Sequence, residues 1–193
     1  MKTIDFLPEN FRDIKSHLDR GNPVIFPTES SYGFSGNIED IRAITRVEKI
    51  KNRKGKSFIC LVPEFSDICR YADPENFSDI PDNILKEAQD SPITFLLKKS
   101  EFFPKVFFPS FEKVGIRKTL YRPLQGFLSY YGKALFSTSA NFSGEAPIYK
   151  ANHVQEKFQK FRDILFVSAG NLPENPPSQI INVENSHTTV IRK

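Results

Sequence analysis

Pro23-Val24-Ile25-Phe26-Pro27-Thr28-Glu29-Ser30-Ser31-Tyr32-Gly33 is the stretch that decides the fold. Residues 23–26 form a short, wholly apolar run with β-branched members, the pattern of a strand buried on both faces. Pro27 ends that strand, and the loop 28–33 then places hydroxyl groups just past its end. Upstream, Phe11, Ile14 and Leu18 share one face of an amphipathic helix over 10–19, which Gly21-Asn22 terminates. Downstream, Ile41, Ile44, Val47 and Ile50 give helical period to 38–51. The same alternation continues to the end of the chain. Strands are expected at 57–62, 93–97, 114–117, 134–137, 164–167, 179–183 and 188–192. Helices are expected at 64–71, 81–90, 123–131 and 152–161, and 73–79 reads as a polar connection. Residues 102–111 hold five phenylalanines and two prolines and read as a lid over the core. Helices interleaved with apolar strands specify an α/β protein, a mixed sheet flanked by helices, as one domain over 1–193. The strand order is not readable from this pattern.

Composition narrows the class. The 193 residues are 39% hydrophobic and 26% charged, which excludes a disordered chain, a collagen-like repeat and a disulfide scaffold. No apolar run approaches the ~18–20 residues of a membrane helix. Residues 1–20 carry charges throughout, which argues against a secretory signal. The expected compartment is therefore cytoplasmic, with no membrane partner. Cys60 and Cys69 fit no redox or zinc spacing, and His17, His153 and His187 are scattered, so no metal cage of protein ligands is expected. The net charge of +4 does not by itself identify a nucleic-acid binder.

Three segments carry chemistry, each straight after an expected secondary element. The loop 28–33 offers hydroxyls for a small polar ligand, or for its own backbone. The block from Arg46 to Lys56 holds six basic residues against Glu48 alone. It complements a helix dipole, or it receives an anion such as a triphosphate, with Arg as a fork and Lys as a point charge. Ser137-Thr138-Ser139-Ala140-Asn141-Phe142-Ser143-Gly144 brings four hydroxyls, an amide and a glycine after a strand. That suits close approach to an oxyanion or phosphate, or a turn with local caps. It is neither a Walker loop nor a G-x-S-x-G elbow.

In this order the segments resemble the YrdC/TsaC family, the threonylcarbamoyl-AMP synthases. The matching pieces are residues 26–33, Lys51-Asn52-Arg53 (K-x-R), Pro92-Ile93-Thr94-Phe95, Val114-Gly115-Ile116-Arg117, residues 136–144, Pro177-Ser178-Gln179-Ile180-Ile181 and Val190-Ile191-Arg192. The resemblance implies a YrdC-like twisted sheet with a wide, positively lined cavity. It implies a nucleotidyltransferase that joins L-threonine, bicarbonate and ATP into threonylcarbamoyl-AMP and pyrophosphate, with Mg²⁺ carried on the phosphates. The product would feed a threonylcarbamoyl transferase complex that modifies tRNA, with contact to tRNA by this chain also implied. Carried over by position, Lys51 and Arg53 would be catalytic and hold ATP phosphates. Ser57, Thr94, Ser137, Ser139, Asn141 and Arg192 would complete the nucleotide site. Thr28, Arg117, Thr138 and Ser178 would hold threonine.

The sequence departs from the family pattern in two places. Lys54 follows K-x-R where many members have proline, and Lys56 and Val62 lie where some have a histidine, so the amino-acid pocket is expected to differ. The chain has the length of the short, single-domain type. Lys51 and Arg53 are both expected to face solvent, and Arg192, next to the last residue, to be frayed. Two other readings remain open here: a non-catalytic module binding double-stranded RNA or tRNA through the basic block, and a YciO-like relative acting on another substrate.

Overall fold

The structure, a computed structural model, describes residues 1–52, 55, 58–184 and 187–192. Its centre is β2 (Val24–Pro27), all four residues of which are buried. Ile25 faces one hydrophobic core, while Val24 and Phe26 face the other. This two-sided burial is why the strand reads as a continuous apolar run. Pro27 is the last strand residue rather than the residue after it, and it pairs with Tyr32.

The loop expected at 28–33 is a turn followed by the start of a strand. Residues 28–31 make a tight turn, and β3 (Tyr32–Asn37) follows at once, antiparallel to β2 and fully buried. Two glycines, a serine and an asparagine in YGFSGN hide the strand pattern. Gly36 is required there, because a Cβ on it would lie 2.6 Å from Cε1 of Phe136. On its other side β3 pairs with β7 (Leu135–Ser139), Gly33 opposite Ser139. The two hydroxyl-rich segments are thus neighbours across a strand pair, although more than 100 residues separate them in sequence.

The described residues form one mixed sheet. Its other strands are β1 (Lys2–Asp5), β4 (Ile59–Val62), β5 (Ile93–Lys98), β6 (Lys113–Lys118), β8 (Leu165–Ser168), β9 (Gln179–Glu184) and β10 (His187–Arg192). The order is β1-β8-β2-β3-β7-β4-β6-β5-β9-β10. β1, a mostly exposed edge strand, has no apolar run and was not foreseen. α1 (Phe11–Asp19) and α5 (Arg122–Tyr131) cover one face through Ile14, Leu18, Leu124, Phe127 and Leu128. α2 (Ile41–Lys51) and α6 (Ala151–Phe158) cover the other through Ile44, Val47, Val154 and Phe158. Each fully buried phenylalanine, such as Phe26 or Phe136, contributes about 1.5–3 kcal/mol.

Residues 73–79, expected as a polar connection, contain α3 (Pro74–Ser78), whose start is capped by Asp73 accepting from Asn76 N–H at 3.0 Å. The expected helix at 64–71 is a 3-10 turn, Phe65–Arg70, and 81–90 holds α4 (Asp82–Glu87). In the phenylalanine-rich segment, Phe103, Phe107 and Phe108 are buried and Phe102 is exposed. Phe108 stacks edge-on to Phe58, and Lys99 Nζ donates to the carbonyls of Phe107 and Phe108. The segment covers the core, as expected, and supplies no wall to the cavity described below. Both cysteines are free, Cys60 buried and Cys69 exposed. Among the described residues no helix is long and apolar enough to cross a membrane.

Candidate functional site

A cavity of about 370 Å³ opens where the β2–β3 turn, β7 and the chain before β9 converge. Its walls are Thr28, Ser30, Ser31, Gly33, Ile59, Arg117, Ser137, Thr138, Ser139, Pro147, Tyr149, Asn175, Pro177, Ser178 and Arg192. The turn at its base is built by Thr28. Its Oγ1 donates to the Ser31 carbonyl at 2.7 Å and accepts from the N–H groups of Ser30 and Ser31, each at 3.2 Å. The hydroxyl of Thr28 is therefore engaged by its own turn, and the residue presents its remaining surface to the cavity. Gly33 beside it keeps the floor open: a Cβ there would lie 3.1 Å from Ser137 Oγ and 3.2 Å from the Thr138 carbonyl.

The opposite wall comes from the end of β7. Ser137 is buried, and Thr138 and Ser139 are half-buried, all three facing the cavity. The turn after them is held internally. Ser139 Oγ donates to Asn141 Oδ1 at 2.7 Å, and Asn141 Nδ2 donates to the Glu145 carbonyl. Lys51, the last residue of α2, reaches this turn from below. Its Nζ donates to the carbonyls of Ser139 (2.6 Å) and Asn141 (2.8 Å) and to Asn141 Oδ1 (2.7 Å). Lys51 is 2% exposed, which overturns the expectation that it faces solvent. It lies on the apolar side of α2, in line with Ile44 and Val47, where the helix meets the core.

Charge enters through two arginines. Arg117 on β6 is buried, and its Nε lies 3.1 Å from Glu29 Oε1, off the line of the N–H bond. Glu29 Oε2 accepts from Thr119 Oγ1 at 2.9 Å. Among the described residues the terminal nitrogens of Arg117 have no hydrogen-bond partner, and the residue lines the cavity. Arg192 is anchored rather than frayed. Its Nε and Nη2 donate to the Ser178 carbonyl at 3.0 and 2.7 Å, and Nη2 also reaches Ser178 Oγ at 3.3 Å. Burial first, and the charge of Arg117 second, pull Arg192 below its ordinary pKa. The two guanidinium groups thus repel across the cavity, a field that favours an anion between them.

Of the residues singled out from sequence, Thr28, Arg117, Ser137, Thr138, Ser139, Ser178 and Arg192 share this cavity. Thr94 stands behind it: its Oγ1 is 2.8 Å from Ser178 Oγ, and both groups are buried. Asn141, in the turn after β7, and Lys51, which reaches that turn from the end of α2, are not part of the wall. Arg53 and Ser57 lie outside the described residues. Sequence reasoning missed Tyr149 and Asn175, which close the rim. Asn175 Nδ2 donates to the Glu29 carbonyl at 2.8 Å, and the Tyr149 hydroxyl reaches the Asn175 carbonyl at 3.5 Å. Both sit in connections without periodic pattern. The only signal was the run of prolines at 173, 176 and 177, which stiffens a strap across the opening.

The arrangement can hold a small molecule with a carboxylate and a neighbouring phosphate. Hydroxyls line it, guanidinium groups flank it, and among the described residues no histidine lines it to serve a serine as base. Among the described residues no group of three or more His, Cys, Asp and Glu side chains gathers to hold a metal. Glu29, in the turn beside the cavity, is engaged by Arg117 and Thr119.

Comparison with known proteins identifies the family to which this fold belongs. The family model Sua5_yciO_yrdC, described as "Telomere recombination", matches residues 16–193. A threonylcarbamoyl-AMP synthase of Buchnera aphidicola subsp. Baizongia pistaciae is 33% identical over 168 residues, 86% of this chain and 89% of that one. One of Aliivibrio fischeri is 24% identical over 93% of this chain and 97% of its own. In three dimensions, P. abyssi Sua5 complexed with L-threonine superposes with a TM-score of 0.83 at 23% identity. That match covers 99% of this chain, which spans 56% of the Sua5 chain. E. coli YciO gives 0.80 at 21% identity, over 100% of this chain and 93% of its own. The sheet, the helices on its two faces and the matched sequence together show that the chain belongs to the Sua5/YciO/YrdC family.

Proposed function

We propose that the chain is an L-threonylcarbamoyladenylate synthase, a nucleotidyltransferase that consumes L-threonine, bicarbonate and ATP. The observation that carries this reading is the convergence of the Thr28 turn, the end of β7, Arg117 and Arg192 on one cavity. Its relatives' names, threonylcarbamoyl-AMP synthase, point the same way. The volume of about 370 Å³ sits at the small end of ligand sites. It accommodates an amino acid and the reacting phosphate, with the rest of the nucleotide along the rim.

In this reading the terminal nitrogens of Arg117 take the threonine carboxylate as a fork. Thr28, Thr138 and Ser178 surround the rest of the amino acid. Ser137, Ser139 and Arg192 face the phosphates, and Thr94 supports Ser178 from behind. The threonine amine forms a C–N bond to the bicarbonate carbon and water leaves, giving a carbamate. A carbamate oxygen then bonds to the α-phosphorus as the bond to the bridging oxygen breaks and pyrophosphate departs. Two anions must meet in this step, so its rate depends on positioning and on fixed positive charge. Glu29 is held by Arg117 and Thr119 and serves to orient the arginine rather than as a base. Among the described residues the cavity wall carries hydroxyls and two arginines and no carboxylate, imidazole or thiol, a lining that does not suit a resident metal. Mg²⁺ would arrive on the triphosphate as part of the substrate.

The product passes to a separate threonylcarbamoyl transferase complex acting on tRNA, in the cytoplasm where both occur. The RNA-module reading is weakened by the basic block itself: Lys51 is buried, and Arg46 is paired with Asp163. The test is pyrophosphate release with ATP, threonine and bicarbonate, omitting each in turn. Release that depends on all three is expected. Release that persists without threonine or without bicarbonate refutes the reading, as does RNA binding with no ATP turnover.

A further inference from the structure

We propose that Lys51 is a positioning residue that staples the Ser139–Asn141 turn into its working shape, and that it is not a ligand of the ATP phosphates. The role assigned to the turn rests on the synthase reading above, but the staple itself does not. An ammonium group has three N–H donors and no acceptor. In Lys51 all three have protein oxygens at 2.6–2.8 Å: the carbonyls of Ser139 and Asn141, and Asn141 Oδ1. A phosphate oxygen could bind Nζ only by displacing one of them.

The cradle is shaped for a compact cation. Two backbone carbonyls and one amide oxygen converge on one point, and the Phe34 ring lies 6.0 Å from the ammonium. The amide is itself fixed: Asn141 Oδ1 also accepts from Ser139 Oγ, and Nδ2 donates to the Glu145 carbonyl. Ser139 meanwhile lines the cavity and pairs with Gly33 in the sheet. Lys51 therefore fixes where Ser139 stands although it does not line the cavity itself. The charged groups that bear on this locus are Lys51 from α2, Glu145 from the turn and Lys157 from α6, the last two forming an ion pair. Withdrawing the ammonium removes the cation that holds the three oxygens together: Asn141 Oδ1 keeps only the Ser139 hydroxyl and the Ser139 carbonyl keeps the Asn141 N–H, the Asn141 carbonyl loses the ammonium, and the turn must open or rotate.

The experiment uses Lys51→Met, which keeps length and loses charge, and Lys51→Arg. Arginine keeps the charge, but a planar fork cannot aim three N–H groups at one converging set of oxygens. Both variants are expected to melt earlier than the wild type in the absence of nucleotide. Both are expected to lose about 100-fold in kcat for pyrophosphate release per folded molecule, while the KM for ATP stays within about threefold. Unchanged nucleotide-free melting overturns the proposal. So does an ATP KM raised about tenfold or more at normal kcat, or full activity in Lys51→Arg, because each marks a phosphate ligand. A normal kcat per folded molecule, with melting alone affected, also overturns it by reducing Lys51 to support. If Lys51→Met does not fold, the same kcat and KM split is read on Asn141→Ala, which removes one of the three oxygens and leaves Lys51 in place. If the wild-type protein releases no pyrophosphate, the synthase reading fails, and the melting comparison still decides whether Lys51 holds the turn.

Discussion

Replacing Glu29 tests the electrostatics of the cavity most directly. Its carboxylate lies 3.1 Å from Arg117 Nε, with the two side chains 11% and 6% exposed. Removing one member of a buried pair costs about 3–5 kcal/mol, because the other charge is left uncompensated. Here the stranded group would be Arg117, already facing Arg192. Opposing this, Arg117 lines the cavity, where water and anions screen its guanidinium. The low end of the range, about 3 kcal/mol, is therefore expected for Glu29→Ala. Glu29→Gln keeps an acceptor for Thr119 Oγ1 and is expected to cost about 2 kcal/mol. For a chain of this size each kcal/mol corresponds to about 2–4 °C, so Glu29→Ala should melt about 6–12 °C early. Inorganic phosphate should restore more melting temperature to the variant than to the wild type, since the released guanidinium gains an anion. In the pyrophosphate assay the KM for threonine should rise about tenfold in Glu29→Gln, with a smaller change in kcat, because Arg117 is misaimed rather than removed. A loss below about 1 kcal/mol in Glu29→Ala, together with an unchanged threonine KM, would refute this account of the pair.

Arg192→Ala removes both donors to the Ser178 carbonyl. It should weaken substrate binding by about 1–3 kcal/mol in KM terms, and wild-type KM values for both threonine and ATP would put Arg192 outside the site. Gly36→Ala places a Cβ 2.6 Å from Phe136 Cε1 and 2.9 Å from the Ala43 Cβ; urea denaturation should show a loss of about 1–3 kcal/mol from overpacking. Burial holds the half-buried His17 below the ordinary imidazole value of 6.5. The unfolded chain thus binds this proton more readily, so the contribution of His17 is complete above pH 6.5 and declines as pH falls through 6.5 toward the lower folded value. His17→Gln should flatten that part of the stability profile, and an identical slope in the variant would exclude His17 as its source.

The longer helices and most strands were legible because their burial is periodic. α1 and α2 show one apolar face each, and β2, β4 and β8 are short runs buried on both sides. β3 was not legible, because Gly33, Ser35, Gly36 and Asn37 dilute the hydrophobic signal. The glycines answer to neighbours, Ser137 and Phe136, that only the folded sheet supplies. β1 was missed for the opposite reason: as an exposed edge it needs no apolar pattern at all. The strand order depends on pairings between distant segments, such as β3 with β7, and no local pattern records these.

For the site, residue types that converge on one ligand were easier to find than the direction each side chain takes. Arg117, Ser178 and Arg192 come from three parts of the chain and meet at one cavity, which the ordered motifs anticipated. The exposure of Lys51 was misjudged because it sits in a block of cations, where composition suggests a solvated group. A finer signal was present: Lys51 follows Ile44 by seven residues and Val47 by four, on the stripe that α2 buries. A lysine on a buried helical stripe has to find oxygen partners inside the protein, because an unpaired buried ammonium is too costly to keep. The hydroxyl-rich turn after β7 supplies them, with two carbonyls and an amide oxygen. The basic block and the hydroxyl turn, two motifs that seemed to be separate claims on a phosphate, therefore meet at Lys51 as one internal structure. Its exposed product is the position of Ser139 at the cavity wall.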